Sequence, residues 1–153
     1  MADIRGNVPT RVQKLRDGNF DAILLAKAGV DRLELDLSGL KAVTLDSGVF
    51  IPATAQGVLA IQCRKEDEKI IDILSEINHA ATQEVINVER SVLNRLHGGC
   101  QLPLGVFAEK KEREIVAHVA IAKSWDAPVR MFTMSHEDPA ALIENILQRI
   151  HEE

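Results

Sequence analysis

Residues 96–105 have the sequence LHGGCQLPLG, and the rest of the chain is arranged around them. An apolar pattern with helical spacing over 80–97 precedes this stretch, and a strand pattern begins at Leu104. The Gly-Gly pair allows the backbone to leave the helix through positive φ, which other residues adopt at a cost. Cys100 is therefore predicted at the tip of a tight turn, where a thiol can do chemistry that a core cysteine cannot.

The residues leave four roles open for Cys100: a structural thiol, a nucleophile, a redox residue or an attachment site. A thioredoxin-like pair is excluded because no second cysteine stands at the spacing of a Cys-x-x-Cys motif. For a Cys–His pair, His97 is the only local base. Carbonyl groups ending the preceding helix disfavour a thiolate, whereas Arg95 and His97 favour it. On the residues alone, a structural role and a functional role of Cys100 are equally favoured.

Residues 67–153 predict a self-contained α+β domain. Helices are expected over 67–77 and 80–97, with His79 at the turn between them, and a last helix begins with Pro139 at its first position. Three strand patterns predict an antiparallel meander over 104–109, 114–123 and 129–135. The helices are expected to cover one face of this sheet. The polar face of the second helix is predicted to carry Glu84, Glu89, Arg90 and Arg95.

The first part of the chain predicts an incomplete α/β segment. Its elements are expected to be helices over 9–17 and 28–33 and short strands over 20–26, 43–45 and 58–63. The run Phe20–Ala26 is typical of a strand buried on both faces of a parallel sheet. Cys63 is expected to be a small core or sheet residue. Because so few elements cannot bury a core alone, the chain is expected to be cut at its start.

Charge and composition exclude several classes of protein. The 153 residues carry a net charge of −5, divided into +1 over residues 1–66 and −6 over 67–153, so there is no broad basic face for nucleic acid. No apolar run reaches the length of a membrane span, and no apolar leader follows Met1. Reduced thiols in the cytoplasm are predicted rather than a disulfide. His118 and His136 are far apart in the pattern and have too few Cys or Asp residues near them to form a zinc site, so no metal is expected.

Three arginines in the first part of the chain are candidates for binding an anion. Arg5 precedes the first predicted helix, Arg11 lies in its first turns, and Arg32 lies in the second helix. Free amide N–H groups at a helix N-terminus, together with guanidinium groups, make a plausible carboxylate or phosphate site. The alternative is that these arginines are simply solvated on short helices.

Several blocks resemble one family. Residues 98–105, GGCQLPLG, resemble the cofactor-attachment loop of porphobilinogen deaminase, also called hydroxymethylbilane synthase. Similar blocks occur in the family's order over 4–15, 21–33, 52–64 and 74–90, so the resemblance covers almost the whole chain. Five blocks in the correct order are far more specific than any one of them.

The resemblance implies a chemistry. The family joins four porphobilinogen molecules head to tail with loss of ammonia, on a dipyrromethane primer held by a thioether to the loop cysteine. Here that cysteine would be Cys100. Each pyrrole carries acetate and propionate carboxylates, which arginine forks bind well. The implied cofactor-binding residues are Cys100, Arg5, Arg11, Arg32, Gln56, Gly57 and Gly99, and the implied partners are porphobilinogen and the growing polypyrrole chain.

The sequence also departs from the family. Ala55 stands where the family usually has glycine, and about half of the family's chain is absent, including the aspartate regarded as catalytic. The resemblance implies that residues 1–48 end a periplasmic-binding-protein-like second domain. Residues 49–66 would then cross back to domain one, and residues 67–153 would form domain three. No catalytic residue is assigned here, and the chain is expected to be inactive without the missing N-terminal half.

Two other readings stay open. The chain can be a non-catalytic ligand-binding or interaction module that keeps the fold, which the missing half and Ala55 favour. A thiol redox protein is the third reading, for which Cys63 on its predicted strand would be a poor partner of Cys100. Exposed edges of an incomplete sheet are expected to favour oligomers, because unpaired strand backbone seeks partners.

Overall fold

The computed structural model describes residues 2–96 and 102–152. The chain divides into two compact units, with the boundary between Leu45 and Asp46. Within the described ranges, no helix combines the length and the apolar character needed to cross a membrane. We describe each unit by itself.

The first unit contains two short helices, α1 (Val8–Arg16) and α2 (Lys27–Arg32). Asn7 caps α1 by accepting a hydrogen bond from the Thr10 amide. The helix is followed by Gly18 at φ +74°, a left-handed conformation that suits a glycine just beyond a helix end. Gly29 in α2 lies close to Val8, since a Cβ at this glycine would stand 3.7 Å from the Val8 Cγ2 atom. Helix α2 therefore lies beside the start of α1.

The strands predicted in the first 66 residues do not form. Residues 20–26, 43–45 and 58–63 have no strand pairing. Leu59 is 93% exposed, and the Cys63 thiol is free and exposed, so the prediction of a core or sheet cysteine at that position is wrong. A strand buried on both faces needs neighbouring strands and covering helices, and the described part of this chain supplies neither around these runs.

The second unit carries the sheet. Its elements are α3 (Glu68–Ile77), α4 (Ala80–Arg95), β1 (Leu104–Lys111), β2 (Glu114–Ile121), β3 (Arg130–His136) and α5 (Pro139–His151). The strands form an antiparallel sheet in the order β1-β2-β3. The predicted meander and the three helices of this region are confirmed, with ends shifted by a few residues. His79 caps α4 by accepting from the Thr82 amide.

Helices α4 and α5 pack on one face of the sheet. Every second strand residue points into the core, and the helices supply the opposing apolar side chains. The largest fully buried side chains are Val88, Val92, Val106, Ile115, Val119, Leu142 and Ile146. Helix α3 differs, because it buries no side chain and leaves Ile77 66% exposed. The predicted layer of helices is therefore confirmed for α4 and α5 but wrong for α3.

Candidate functional site

The cysteine loop is fixed at both of its described ends. Gly99 and Cys100 lie outside the described residues. On one side, Leu96 closes α4 through its amide, which donates to the Val92 carbonyl over 3.2 Å. On the other side, the Ala122 amide at the end of β2 donates to the Pro103 carbonyl over 3.0 Å. The segment that carries Cys100 thus joins two elements that share the core.

A tight turn over residues 53–57 lies against the first residues of β1. Ala53 forms an isolated antiparallel bridge with Gly105, and the Gln56 amide donates to the Ala53 carbonyl over 3.2 Å. A Cβ at Gly105 would stand only 2.8 Å from the Pro52 carbonyl oxygen, so the close approach requires glycine at this position. The turn presents Gln56 and Gly57 exposed to solvent, beside a strand residue that follows Cys100 by five positions.

The backbone of this turn is unusual at Ala55. Its φ is +59°, in the left-handed region, and Gly57 follows at +78°. An L-residue other than glycine occupies this region at a cost, because its Cβ crowds the backbone. The departure noted in the sequence, alanine for the family's usual glycine, therefore falls on a position whose conformation favours glycine.

Glu89 is the buried carboxylate of this region. Its residue is only 4% exposed, and its two oxygens accept from the Ala55 amide over 2.7 Å and the Ala108 amide over 2.8 Å. Burial raises the pKa of the Glu89 carboxyl above its usual value, and the two N–H donors partly oppose that rise. The prediction that Glu89 lies on the polar face of its helix is wrong. The missed signal is its spacing, four residues after Val85 and three before Val92, on the apolar stripe.

Arg5, Arg11 and Arg32 all belong to the first unit. The Arg11 Nε atom donates to the Gly6 carbonyl over 2.8 Å, which holds this side chain beside the start of α1. Arg5 and Arg32 are exposed, and Arg32 ends α2, the helix that lies beside the start of α1. The expected amide donors are fewer than predicted, since Asn7 occupies the Thr10 amide and Pro9 has none. An anion would therefore be bound here by the arginine side chains more than by free amides at the start of α1.

Two models of known protein families match separate parts of this chain. Residues 1–72 match the family model described as "Porphobilinogen deaminase, dipyromethane cofactor binding domain", and residues 83–145 match that of the "Porphobilinogen deaminase, C-terminal domain". The chain belongs to the porphobilinogen deaminase family. The resemblance read from the separated blocks of sequence is thereby confirmed.

Several curated porphobilinogen deaminases are similar over most of this chain. That of Bacillus mycoides (strain KBAB4) is 40% identical over 126 residues, which cover 82% of this chain and 40% of the relative. That of Brevibacillus brevis (strain 47 / JCM 6285 / NBRC 100599) is 40% identical over 141 residues, covering 91% of this chain and 45% of the relative. The chain therefore spans less than half the length of the porphobilinogen deaminases that it matches.

Arg95, five positions before Cys100 in the sequence, forms an ion pair with α5. Its guanidinium forms a bidentate ion pair with the Glu144 carboxylate, in which Nη2 donates to Oε2 over 3.0 Å. This hydrogen-bonded pair raises the pKa of Arg95 and lowers the pKa of Glu144. Because Glu144 compensates its positive charge, Arg95 is less able to stabilise an anion than an unpaired guanidinium would be.

A groove of about 500 Å³ opens beside both described ends of the loop. Its lining is mostly apolar and includes Leu96, Leu102, Ile121 and Ile150, with Lys123 and Arg130 as its cationic members. The Arg130 Nη2 atom donates to the Ile150 carbonyl over 3.1 Å, and its guanidinium lies over the Phe132 ring. Sequence patterns did not predict this groove, because it is formed by the ends of four separate elements.

Proposed function

We propose that this chain is the cofactor-bearing part of a porphobilinogen deaminase, with a dipyrromethane primer attached to Cys100 through a thioether. The observation that carries the proposal is the match to both family models in one chain, with the Gly-Gly-Cys loop falling inside the second match. In the complete enzyme, we expect four porphobilinogen molecules to be joined into hydroxymethylbilane on this primer, with release of ammonia.

The described residues suit an acidic pyrrole ligand. The proposed contacts are Arg5, Arg11 and Arg32 for the acetate and propionate groups, together with Gln56, Gly57 and Gly99. A guanidinium fork pairs with a carboxylate through two parallel hydrogen bonds, and Arg5 and Arg32 are exposed to provide them. When bound, the primer supplies the pyrrole carbon to which the next unit is joined. The covalent attachment keeps that end of the chain from diffusing away.

We further propose that the rest of a full-length enzyme packs on the apolar side chains exposed in residues 43–77. These include Val43, Val49, Leu59, Ile61, Ile73 and Ile77. Exposure of so many apolar residues in one part of a chain is typical of an interface. The runs over 20–26, 43–45 and 58–63 would gain strand partners there, in a periplasmic-binding-protein-like arrangement. On this proposal, residues 1–48 belong to domain two, 49–66 cross to domain one and 67–153 form domain three, in a cytoplasmic enzyme.

Intact mass spectrometry of the purified chain tests the attachment. Incubation with porphobilinogen is expected to add two porphobilinogen units less two molecules of ammonia, because the Cys100 sulfur displaces the amino group of the first unit and the free pyrrole carbon of that unit displaces the amino group of the second. Cys100→Ala should abolish the addition, whereas Cys63→Ser should retain it. Cys63 is the matched control because it is an exposed thiol in the same chain. Addition that survives Cys100→Ala, or that requires Cys63, would refute the proposal.

A non-catalytic binding module is the second candidate, favoured by Ala55 in its strained conformation. It predicts reversible binding of acidic pyrroles without the covalent addition. The same mass measurement under denaturing conditions separates the two, because only a thioether survives unfolding. A thiol redox role predicts instead a disulfide between Cys63 and Cys100 under oxidation, seen as a loss of two mass units.

A further inference from the structure

We propose that Glu89 is a positioning residue, which holds the 53–57 turn against β1 so that Gln56 and Gly57 face the cofactor. The inference rests on the proposed function for the identity of the ligand. The geometry of the anchor stands independently of it, as the contacts of Glu89 are all made within the chain.

The first step concerns the two hydrogen bonds of Glu89. One carboxylate oxygen accepts from Ala55, in the turn, and the other from Ala108, in β1. A carboxylate that accepts from two backbone amides at once ties the two segments together, and charged acceptors make stronger hydrogen bonds than neutral ones. Glu89 therefore fixes the distance between the turn and the strand from within α4, the helix that leads into the cysteine loop.

The second step is that the turn has few other anchors. Its other described contacts with β1 are the Ala53–Gly105 bridge and the close approach of Ile51 and Pro52 to Gly105. Among the described residues the buried Thr54 hydroxyl has no hydrogen-bond partner, so it adds no hydrogen bond to the turn. Ala55 itself has an unfavourable φ of +59°, which the Glu89 hydrogen bond helps to maintain.

The third step explains why a carboxylate is needed. A buried charge is costly, and a helix position facing the core is normally filled by an aliphatic residue. Glutamine has the same shape, but its amide group has only one acceptor oxygen and cannot accept both backbone N–H groups from opposite ends. Glu89→Gln should therefore release one segment, and the strained turn is the one we expect to move.

Amide hydrogen exchange, resolved by residue, tests the anchor. In Glu89→Gln we expect exchange of the Ala55 amide to accelerate about tenfold or more, with Gln56 and Gly57 shifted in the NMR spectrum. Exchange of the Val119 amide, in the central strand, should be unchanged. The matched control is Glu84→Gln, on the same helix, because Glu84 pairs with Lys110 at the surface. Unchanged exchange at Ala55 in Glu89→Gln would overturn the proposal.

A second variant reaches the same turn if Glu89→Gln does not fold. Gly105→Ala places a methyl group against the Pro52 carbonyl and should displace the turn while leaving the Glu89 carboxylate in place. We again expect faster exchange at Ala55 with Val119 unchanged. Retention of full protection at Ala55 in this variant would contradict the view that the turn is lightly anchored.

Titration with porphobilinogen separates this inference from the proposed function. Wild type and Glu84→Gln should show shifts at Gln56 and Gly57, and Glu89→Gln should need about tenfold more ligand for the same shifts. Shifts of equal midpoint in all three proteins would overturn the positioning role even if Ala55 exchanges faster. No shift in wild type would refute the proposed ligand site, and the exchange of Ala55 would still decide whether Glu89 holds the turn.

Discussion

At the scale of single residues, the backbone of the candidate site favours glycine at two positions. Gly105 is needed because the Pro52 carbonyl approaches its α-carbon, and the position of Ala55 favours glycine because its φ is positive. The first requirement is met by the sequence and the second is not. A sequence pattern detects a Gly-Gly pair readily, but neither close approach nor positive φ can be read from an isolated glycine or alanine.

Ala55→Gly is expected to stabilise the folded chain. The left-handed conformation costs an alanine about 1 kcal/mol or more, and the greater freedom of glycine in the unfolded state offsets part of the gain. We expect a net increase of about 0.5 kcal/mol in the free energy of unfolding, measured by chemical denaturation. Ala53→Gly is the control, because its φ is not positive, and it should destabilise by a similar amount. A loss of stability in Ala55→Gly would contradict the strain inferred at this position.

Glu89 shows where residue-level patterns fail. Its helix was predicted correctly from the apolar stripe, yet the charge of Glu89 led to its assignment to the polar face. Its burial depends on two amide donors, Ala55 and Ala108, which lie 34 and 19 residues away in the chain. Such partners come together only when the fold is complete, so periodicity could reveal the helix but not the anchor.

At the scale of elements, prediction succeeded where an element carries its own packing partner within the chain. The strands of the meander alternate, and α4 and α5 cover the face that their alternation predicts. The runs over 20–26 and 58–63 have equally apolar sequences but do not form strands. Since strand pairing needs a neighbour as well as a suitable side-chain pattern, local sequence could not decide their structure.

Helices α3 and α5 should differ sharply in their contribution to stability. Ile77, in α3, is 66% exposed, whereas Ile146, in α5, is fully buried in the core. We expect Ile77→Ala to change the free energy of unfolding by no more than about 0.5 kcal/mol, and Ile146→Ala to cost about 2–5 kcal/mol. Denaturant titration of both variants measures this. A large cost for Ile77→Ala would show that α3 is packed in solution, and a dependence on protein concentration would then identify a second copy as its partner.

At the scale of the whole molecule, the chain carries several exposed apolar side chains besides the proposed attachment cysteine. Leu59 and Ile61 project from the segment that follows the 53–57 turn, with 93% and 63% of their surface exposed. The porphobilinogen deaminases that resemble this chain are more than twice as long. On the proposal above, the part of those relatives that this chain does not match would cover these side chains.

Complementation tests whether the chain needs the rest of a full-length enzyme to form product. The chain alone is expected to form no hydroxymethylbilane from porphobilinogen, and co-expression with the remaining part of the Bacillus mycoides relative should restore product, measured by absorbance after oxidation to uroporphyrin. Cys100→Ala should abolish the restored activity by removing the attachment thiol. Leu59→Glu with Ile61→Glu should reduce it at least tenfold, because a buried interface does not tolerate two unpaired charges. Product from the chain alone would show that no second part is needed for activity. Full activity with both charges present would show that the exposed segment is not where the two parts meet.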